Sequence, residues 1–243
     1  MKTLSLIIPI YNGAPYIVET VRELVDFSIM HSWLTEVIFV NDGSLDKTEM
    51  ILKAYREKKY PFELKIFGYT KNRGKGFALR SARSYVGSVD VVAFTDVELP
   101  YGLVGLGDAM KLIETYDMVA GTRVKIKEST RQYSIYRGVA TKLFRLFLPR
   151  EIIDIKDTQC GFKVFNKKIF NILLESIHTF RWVFDIELFV IARRKKMQIA
   201  TVPVQIKESC LRRFGGVSFL KHGVYIIADI LKIHKNIVLR KYD

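Results

Sequence analysis

Cysteine is scarce in this chain of 243 residues, with Cys160 and Cys210 as its only two. Two distant cysteines make neither a disulfide framework nor a metal-ligand spacing, so a reducing cytosolic compartment is the expectation. Long apolar runs are missing as well. No stretch approaches the roughly 18 consecutive apolar residues that cross a bilayer, so the protein is expected to be neither secreted nor integral to a membrane. The opening stretch carries a short apolar run, but Pro9 breaks it and Tyr11-Asn12-Gly13 follows. It reads as a first strand, not a signal sequence. No Gly-Lys-Ser/Thr follows four variable residues, and no G-x-G-x-x-G follows the first strand, which excludes the P-loop and the dinucleotide-binding variant. Repeats, low-complexity tracts and a clear linker are also absent, so residues 1–243 read as one domain.

What is abundant is positive charge, and it is unevenly placed. The net charge is +14. Residues 123–150 contribute +7 and residues 193–243 contribute +9, which leaves −2 for everything else. A basic second half on a near-neutral first half points to an anionic partner reached by the second half, whether nucleic acid, anionic lipid or a phosphorylated acceptor.

Periodicity supplies the architecture. Strand patterns over 4–11, 36–41, 62–69, 89–97 and 118–121 alternate with helix patterns over 14–30, from Ser44 onward, 75–86 and 104–116. In the second helix Ser44 suits an N-cap and Asp46 the first turn. Such repetition predicts an α/β fold, a doubly wound, mostly parallel sheet with helices on both faces. After Arg123 the pattern changes: a helix over 133–148, a turn and strand over 157–165, helices over 167–176 and 184–196, a strand over 199–206, and a long amphipathic helix over 217–240.

In such a sheet, ligands sit at the carboxyl ends of the strands. The fourth strand ends in Asp96 and Glu98, followed by Pro100. Two carboxylates there suit a hard divalent cation that holds a diphosphate, and equally a pair of solvated acids in a turn. The first strand ends in Pro9-Ile10-Tyr11-Asn12 and the second in Asn41-Asp42-Gly43-Ser44. An aromatic face for a base and an acid for a base N–H or ribose hydroxyl, beside the acidic pair, read together as a nucleotide pocket. Asn72-Arg73-Gly74-Lys75-Gly76 opens the third helix, and glycines with cations at a helix N-terminus suit phosphate or sugar oxygens. An isolated glycine turn fits that stretch as well.

These four motifs together resemble family 2 glycosyltransferases of the GT-A fold. The stretches Asp157 to Lys163 (DTQCGFK) and Arg181 to Leu188 (RWVFDIEL) resemble the dolichyl-phosphate glucosyltransferase branch, whose relatives the dolichyl-phosphate mannose synthases share the earlier motifs. The resemblance implies that Pro9, Tyr11, Asn12, Asp42, Lys75, Asp96 and Arg213 bind the nucleotide sugar, with Arg212 and Arg213 in a basic segment that closes over the diphosphate. It implies Asp96 and Glu98 as ligands of Mg²⁺ or Mn²⁺. Arg123, Arg137 and Thr141 match positions that hold the phosphate of a polyprenyl acceptor. The expected division is a nucleotide-sugar half over 1–122 and an acceptor and membrane-surface half over 123–243. Three departures stand out: Gly13 replaces the usual acid, Asn41 replaces the first aspartate of the second motif, and the metal motif is Asp-x-Glu with Pro100 two residues on.

The chemistry follows from the acceptor. A phosphate monoester, with a second pKa of ~6, is already an oxyanion near neutrality and needs no strong base. This suits a chain with four histidines, His31, His178, His222 and His234, none of them in these motifs. A neutral hydroxyl would need a base, for which Asp157 and Asp185 are the candidates. Trp182 and Phe184 fit either the site or the core. The expected activity is metal-dependent, inverting transfer of a hexose, from UDP-glucose first and GDP-mannose second, to a polyprenyl (dolichyl) phosphate; the alternative acceptor is a soluble glycan or protein. The basic amphipathic helices over 133–148 and 217–240 suit peripheral attachment to the cytoplasmic face of a membrane, or packing inside the fold. A nucleic-acid partner is not expected, because no stacking-plus-basic motif accompanies the charge.

Overall fold

A computed structural model of the chain describes residues 1–124, 147–211 and 219–243. The first half runs β1 (Leu4–Ile10), α1 (Ile17–Met30), β2 (Leu34–Asp42), α2 (Thr48–Tyr55), β3 (Glu63–Tyr69), α3 (Lys75–Ala82), β4 (Val91–Phe94), α4 (Val104–Leu112) and β5 (Met118–Arg123). The remainder holds β6 (Lys163–Asn166), α5 (Lys167–Ser176), α6 (Phe184–Arg194), β7 (Ile199–Val204), a short α7 (Glu208–Leu211) and the long α8 (Phe219–Val238).

The strands form one sheet in the order β3-β2-β1-β4-β6-β5-β7. All neighbours are parallel except β6, which runs antiparallel to both β4 and β5. The mostly parallel, doubly wound sheet expected from the pattern is therefore present, with one reversed strand. Side chains alternate across it, as the period of two demands. Leu4, Leu6, Ile8 and Ile10 of β1 enter one core with Val37, Phe39, Val91 and Ala93, beneath residues of α1, α2 and α4. Ile7 joins Ile38, Val40, Val92 and Phe94 in the other, beneath α3, α5, α6 and α8. Burial on both faces explains why β4 reads as an unbroken apolar run and β1 as a mostly apolar one.

Several element boundaries differ from the pattern, three of them in elements adjoining the motifs at the strand ends. Helix α2 starts at Thr48, not at Ser44. The Ser44 hydroxyl instead accepts from Asn12 N–H at 3.0 Å, and an Asp46 carboxylate oxygen accepts from Thr48 N–H at 3.0 Å, which forms a turn ahead of the helix. Strand β4 ends at Phe94, so Asp96 and Glu98 lie in a turn beyond it, where Leu99 N–H donates to the Asp96 carbonyl at 3.0 Å. Helix α3 ends at Ala82 and finishes in a single 3₁₀ turn, Arg83–Tyr85.

Helix α8 packs Ile226, Ile230 and Ile233 into the second core. Val224, Tyr225, Leu231 and Val238 point outward from the same helix. It thus has both a core face and an outer apolar face, where the sequence offered the two as alternatives. No helix among the described residues is long and apolar enough to cross a membrane.

Candidate active site

A cleft of about 510 Å³ opens at the carboxyl ends of β1, β2 and β4. Pro9, Tyr11, Asp42, Lys75, Asp96 and Glu98 line it, and Gln159, Gly161, Arg181, Trp182, Phe184 and Asp185 face them. The topology brings these together because β1 sits between β2 and β4, so three strand ends converge on one opening.

Asp96 is held on two sides. Its Oδ1 accepts from Lys75 Nζ at 2.5 Å. Its Oδ2 lies against Gly161, where an added Cβ would approach it to 2.1 Å, so only glycine lets the chain pass there. Burial works against the Lys75 ammonium, but the charges of Asp96 and Asp185 outweigh it and hold its pKa above the ordinary lysine value. The turn that follows is braced through its carbonyls. The hydroxyl of Thr20 donates to the Val97 carbonyl, and Lys207 N–H donates to the Pro100 carbonyl at 2.8 Å. Lys207 Nζ in turn grips both oxygens of Glu23 at 2.5 and 2.6 Å. Leu99, fully buried, sits at φ 44°, a left-handed conformation that a bulky residue adopts only when its surroundings impose it. The buried Leu99 side chain and the held carbonyls are what impose it, and they fix Asp96 and Glu98 relative to the sheet.

No group of three His, Cys, Asp or Glu side chains forms a ready-made metal cage among the described residues. Asp96 and Glu98 supply two carboxylates. One or two carboxylates are how a hard divalent cation is held when a bound diphosphate and water provide its other oxygens. The residues present therefore fit a cation shared with a nucleotide.

Asp42 is buried and ties down the 72–74 loop. Its carboxylate accepts from Asn72 Nδ2 at 2.9 Å, Arg73 N–H at 2.8 Å and Gly74 N–H at 2.9 Å. Gly74 has φ 98° and would bring a Cβ within 2.4 Å of the Phe180 carbonyl, so glycine is required there on both counts. Arg181 reaches across to the Asn72 side-chain and backbone oxygens at 3.3 Å, and Gln159 donates to the Trp182 carbonyl at 3.1 Å.

Tyr11 is about half exposed at the cleft mouth (47%), which leaves its ring face open to a planar ligand. Asn12 does not line the cleft; at φ 53° its Oδ1 accepts from Leu45 N–H at 2.8 Å and clasps the first loop to the second. At Gly13 a Cβ would come within 2.5 Å of Ile10 Cγ2, so the acid expected of relatives has no room in this loop arrangement.

The remaining predicted carboxylates are engaged. Asp157 receives Arg123 Nε at 2.7 Å and Nη2 at 2.8 Å, a bidentate pair, and Arg123 N–H at 3.1 Å. Burial alone would raise the Asp157 carboxyl, but the hydrogen bonds and charge of Arg123 hold it below the ordinary aspartate value. Asp157 hydrogen bonding conversely raises the Arg123 guanidinium. Asp185 accepts from Lys163 Nζ at 2.5 Å, and Lys163, fully buried, also donates to the Cys160 carbonyl at 2.8 Å and the Thr158 carbonyl at 3.3 Å. Both carboxylates, which sequence reasoning kept open as general bases for a hydroxyl acceptor, are thus held in ion pairs with cations. A depressed carboxyl stabilises the fold above the ordinary aspartate range and loses that contribution as pH falls through its lower folded value. Asp157→Asn is therefore expected to flatten the loss of stability below about pH 4, as measured by thermal unfolding at stepped pH; an unchanged acid limb would contradict the pairing.

Arg137, Thr141 and Arg213, with Arg212, lie outside the described residues. Thr20, Gln159 and Arg181 were given no role from sequence. Arg181 adjoins Trp182 just ahead of a helix, a signal that was present; Thr20, on a helix facing the core, offered none.

A sheet of this order, with a cleft at its strand ends lined by an aromatic ring, carboxylates and a lysine, has the GT-A fold. The chain belongs to glycosyl transferase family 2, whose family model matches residues 5–174. It is 31% identical to the dolichyl-phosphate β-glucosyltransferase of Saccharomyces cerevisiae, over 84% of this chain and 67% of that protein. It is 30% identical to the human dolichyl-phosphate β-glucosyltransferase, over 85% and 68%. The chain thus spans about two thirds of the length of these curated relatives. Among solved structures, glucosyl-3-phosphoglycerate synthase from Mycobacterium tuberculosis, in complex with Mn²⁺, UDP and phosphoglyceric acid, superposes with a TM-score of 0.67 at 18% identity, covering 99% of this chain and 78% of that one. That likeness establishes the fold.

Proposed function

We propose that this glycosyltransferase moves a hexose from a nucleotide sugar, UDP-glucose first and GDP-mannose second, to a polyprenyl (dolichyl) phosphate at a membrane surface, with inversion at the anomeric carbon. The observation that carries the choice of acceptor is the engagement of Asp157 and Asp185, each in an ion pair with a cation. A hydroxyl acceptor would call on such a carboxylate for its proton, whereas a phosphate monoester arrives already ionised. The names of the curated relatives support the same acceptor and glucose as the sugar.

In this reading Tyr11 stacks on the base and Asp42 holds the 72–74 loop against the donor. A Mg²⁺ or Mn²⁺ ion held by Asp96 and Glu98 supplies positive charge for the leaving diphosphate. Lys75 adds a cation to that region, and the N–H groups not used by Asp157 leave Arg123 able to meet an acceptor phosphate. Holding the acceptor behind the anomeric carbon lowers the barrier by replacing a bimolecular encounter. The outward face of α8, with Val224, Tyr225, Leu231 and Val238 exposed beside Lys232 and Lys235, suits an anionic bilayer surface. Attachment would be peripheral, on the cytoplasmic face.

Comparing two lipids tests the acceptor directly. Transfer to a short polyprenyl phosphate and none to the corresponding polyprenol is the expected result, with the rate falling as the phosphate protonates below about pH 6; equal use of the alcohol would overturn the reading. Arg137→Ala is expected to raise the KM for the lipid phosphate about tenfold or more while leaving the donor KM within about twofold, since a lost charge-assisted hydrogen bond is worth roughly 1.5–3 kcal/mol. A donor KM that rises as much as the acceptor's would show the two subsites misplaced.

A further inference from the structure

The pair formed by Lys75 and Asp96 has a consequence for how the cation and the nucleotide enter. It rests on the assignment of Asp96 and Glu98 as cation ligands. Lys75 Nζ lies 2.5 Å from Asp96 Oδ1. The other oxygen, Oδ2, is crowded by the backbone at Gly161. Asp96 therefore carries an ammonium group on one oxygen and has the Gly161 chain beside the other. The Lys75 side chain is itself confined, with Nζ 5.2 Å from the centre of the Phe94 ring beneath it. Asp185, the other carboxylate on that side of the cleft, is taken by Lys163. No third carboxylate, histidine or cysteine joins Asp96 and Glu98 among the described residues.

We propose that Lys75 competes with the divalent cation for Asp96, so that the cation binds well only when a nucleotide diphosphate arrives to take the displaced ammonium. Two cations on one carboxylate repel each other, so either one weakens the other. A diphosphate relieves the conflict, because it gives the lysine a new anionic partner and gives the cation the oxygens that two carboxylates leave wanting. Cation and nucleotide are then coupled, each strengthening the other by the same factor. Lys75 is a positioning residue in this sense: it sets the order in which the site is assembled and keeps a bare cation from occupying it.

Mn²⁺ binding followed by electron paramagnetic resonance, with and without UDP and with GDP in parallel, tests this without relying on turnover. In the wild type, the nucleotide is expected to tighten Mn²⁺ by about tenfold or more, within the usual range of site coupling. Lys75→Met is expected to bind Mn²⁺ alone about tenfold tighter than wild type, and to keep only the part of the nucleotide's effect that the diphosphate oxygens supply directly. Lys75→Gln should behave alike, and Lys75→Arg, which keeps the charge, should retain the coupling. Equal Mn²⁺ affinity and equal coupling in wild type and Lys75→Met would overturn the competition while leaving the cation site standing. Mn²⁺ binding that survives Asp96→Asn unchanged, with nucleotide present, would instead overturn the assignment of the site itself.

Discussion

Asp96→Asn is expected to lower sugar transfer by about a hundred- to a thousandfold, the scale lost when one preorganised electrostatic contact to a developing charge is removed. The carboxylate stands where the cleft meets the end of β4, on a turn fixed by Thr20 and Lys207. An amide of the same shape keeps the packing against Gly161 but gives up the negative charge. Stability should change little, because the asparagine amide oxygen can still accept from Lys75 and the charge of Asp185 still supports the ammonium. Initial rates over a range of Mn²⁺, with a parallel thermal melt, separate the two effects. A variant that transfers sugar at the wild-type rate would remove Asp96 from the chemistry, and one that fails to fold would make it a structural residue.

The second large effect concerns folding. Lys163→Met is expected to cost roughly 3–5 kcal/mol, because it leaves Asp185 as an uncompensated buried charge. It also strips the donor from the carbonyls of Thr158 and Cys160, so the loop carrying Gln159 and Gly161 loses its anchor. For a domain of this size that corresponds to a fall in melting temperature of roughly 6–20 °C. The double variant Lys163→Met with Asp185→Leu should recover a large part of the loss, since an apolar pair often replaces a buried ion pair without penalty. A single variant as stable as wild type, or a double variant no better than the single, would contradict this account of the pair.

These two residues also show what could be read from the sequence. Asp96 and Glu98 were legible because a buried strand ending in acids has a fixed place in an α/β sheet. Tyr11 and Asp42 were legible for the same reason, at the ends of β1 and β2. The partners were not. Lys75 is 21 residues from Asp96, Arg123 is 34 from Asp157, and Lys163 is 22 from Asp185. A charge in a sequence does not announce which opposite charge the fold will bring to it, and Arg123 and Asp157 were assigned separate roles before the structure placed them together. The antiparallel course of β6 was hidden too, since strand direction leaves no trace in an apolar run. Local competition moved the start of α2: the Ser44 side chain is spent on the Asn12 amide of the neighbouring loop, and Asp46 accepts instead from the helix's first amide, at Thr48. At Leu99 the backbone takes a conformation that the residue type disfavours, and only the packing around the turn explains it.

The central claim, sugar transfer to a lipid phosphate through the cleft at Asp96 and Glu98, is tested most directly by one assay. Purified protein is incubated with Mn²⁺ or Mg²⁺, a short polyprenyl phosphate and a panel of labelled UDP- and GDP-sugars. The account predicts metal-dependent transfer of glucose from UDP-glucose to the lipid phosphate, with the anomeric configuration inverted in the product. Transfer from no donor to the lipid phosphate, under conditions where a soluble glycan or protein is glycosylated, would contradict it.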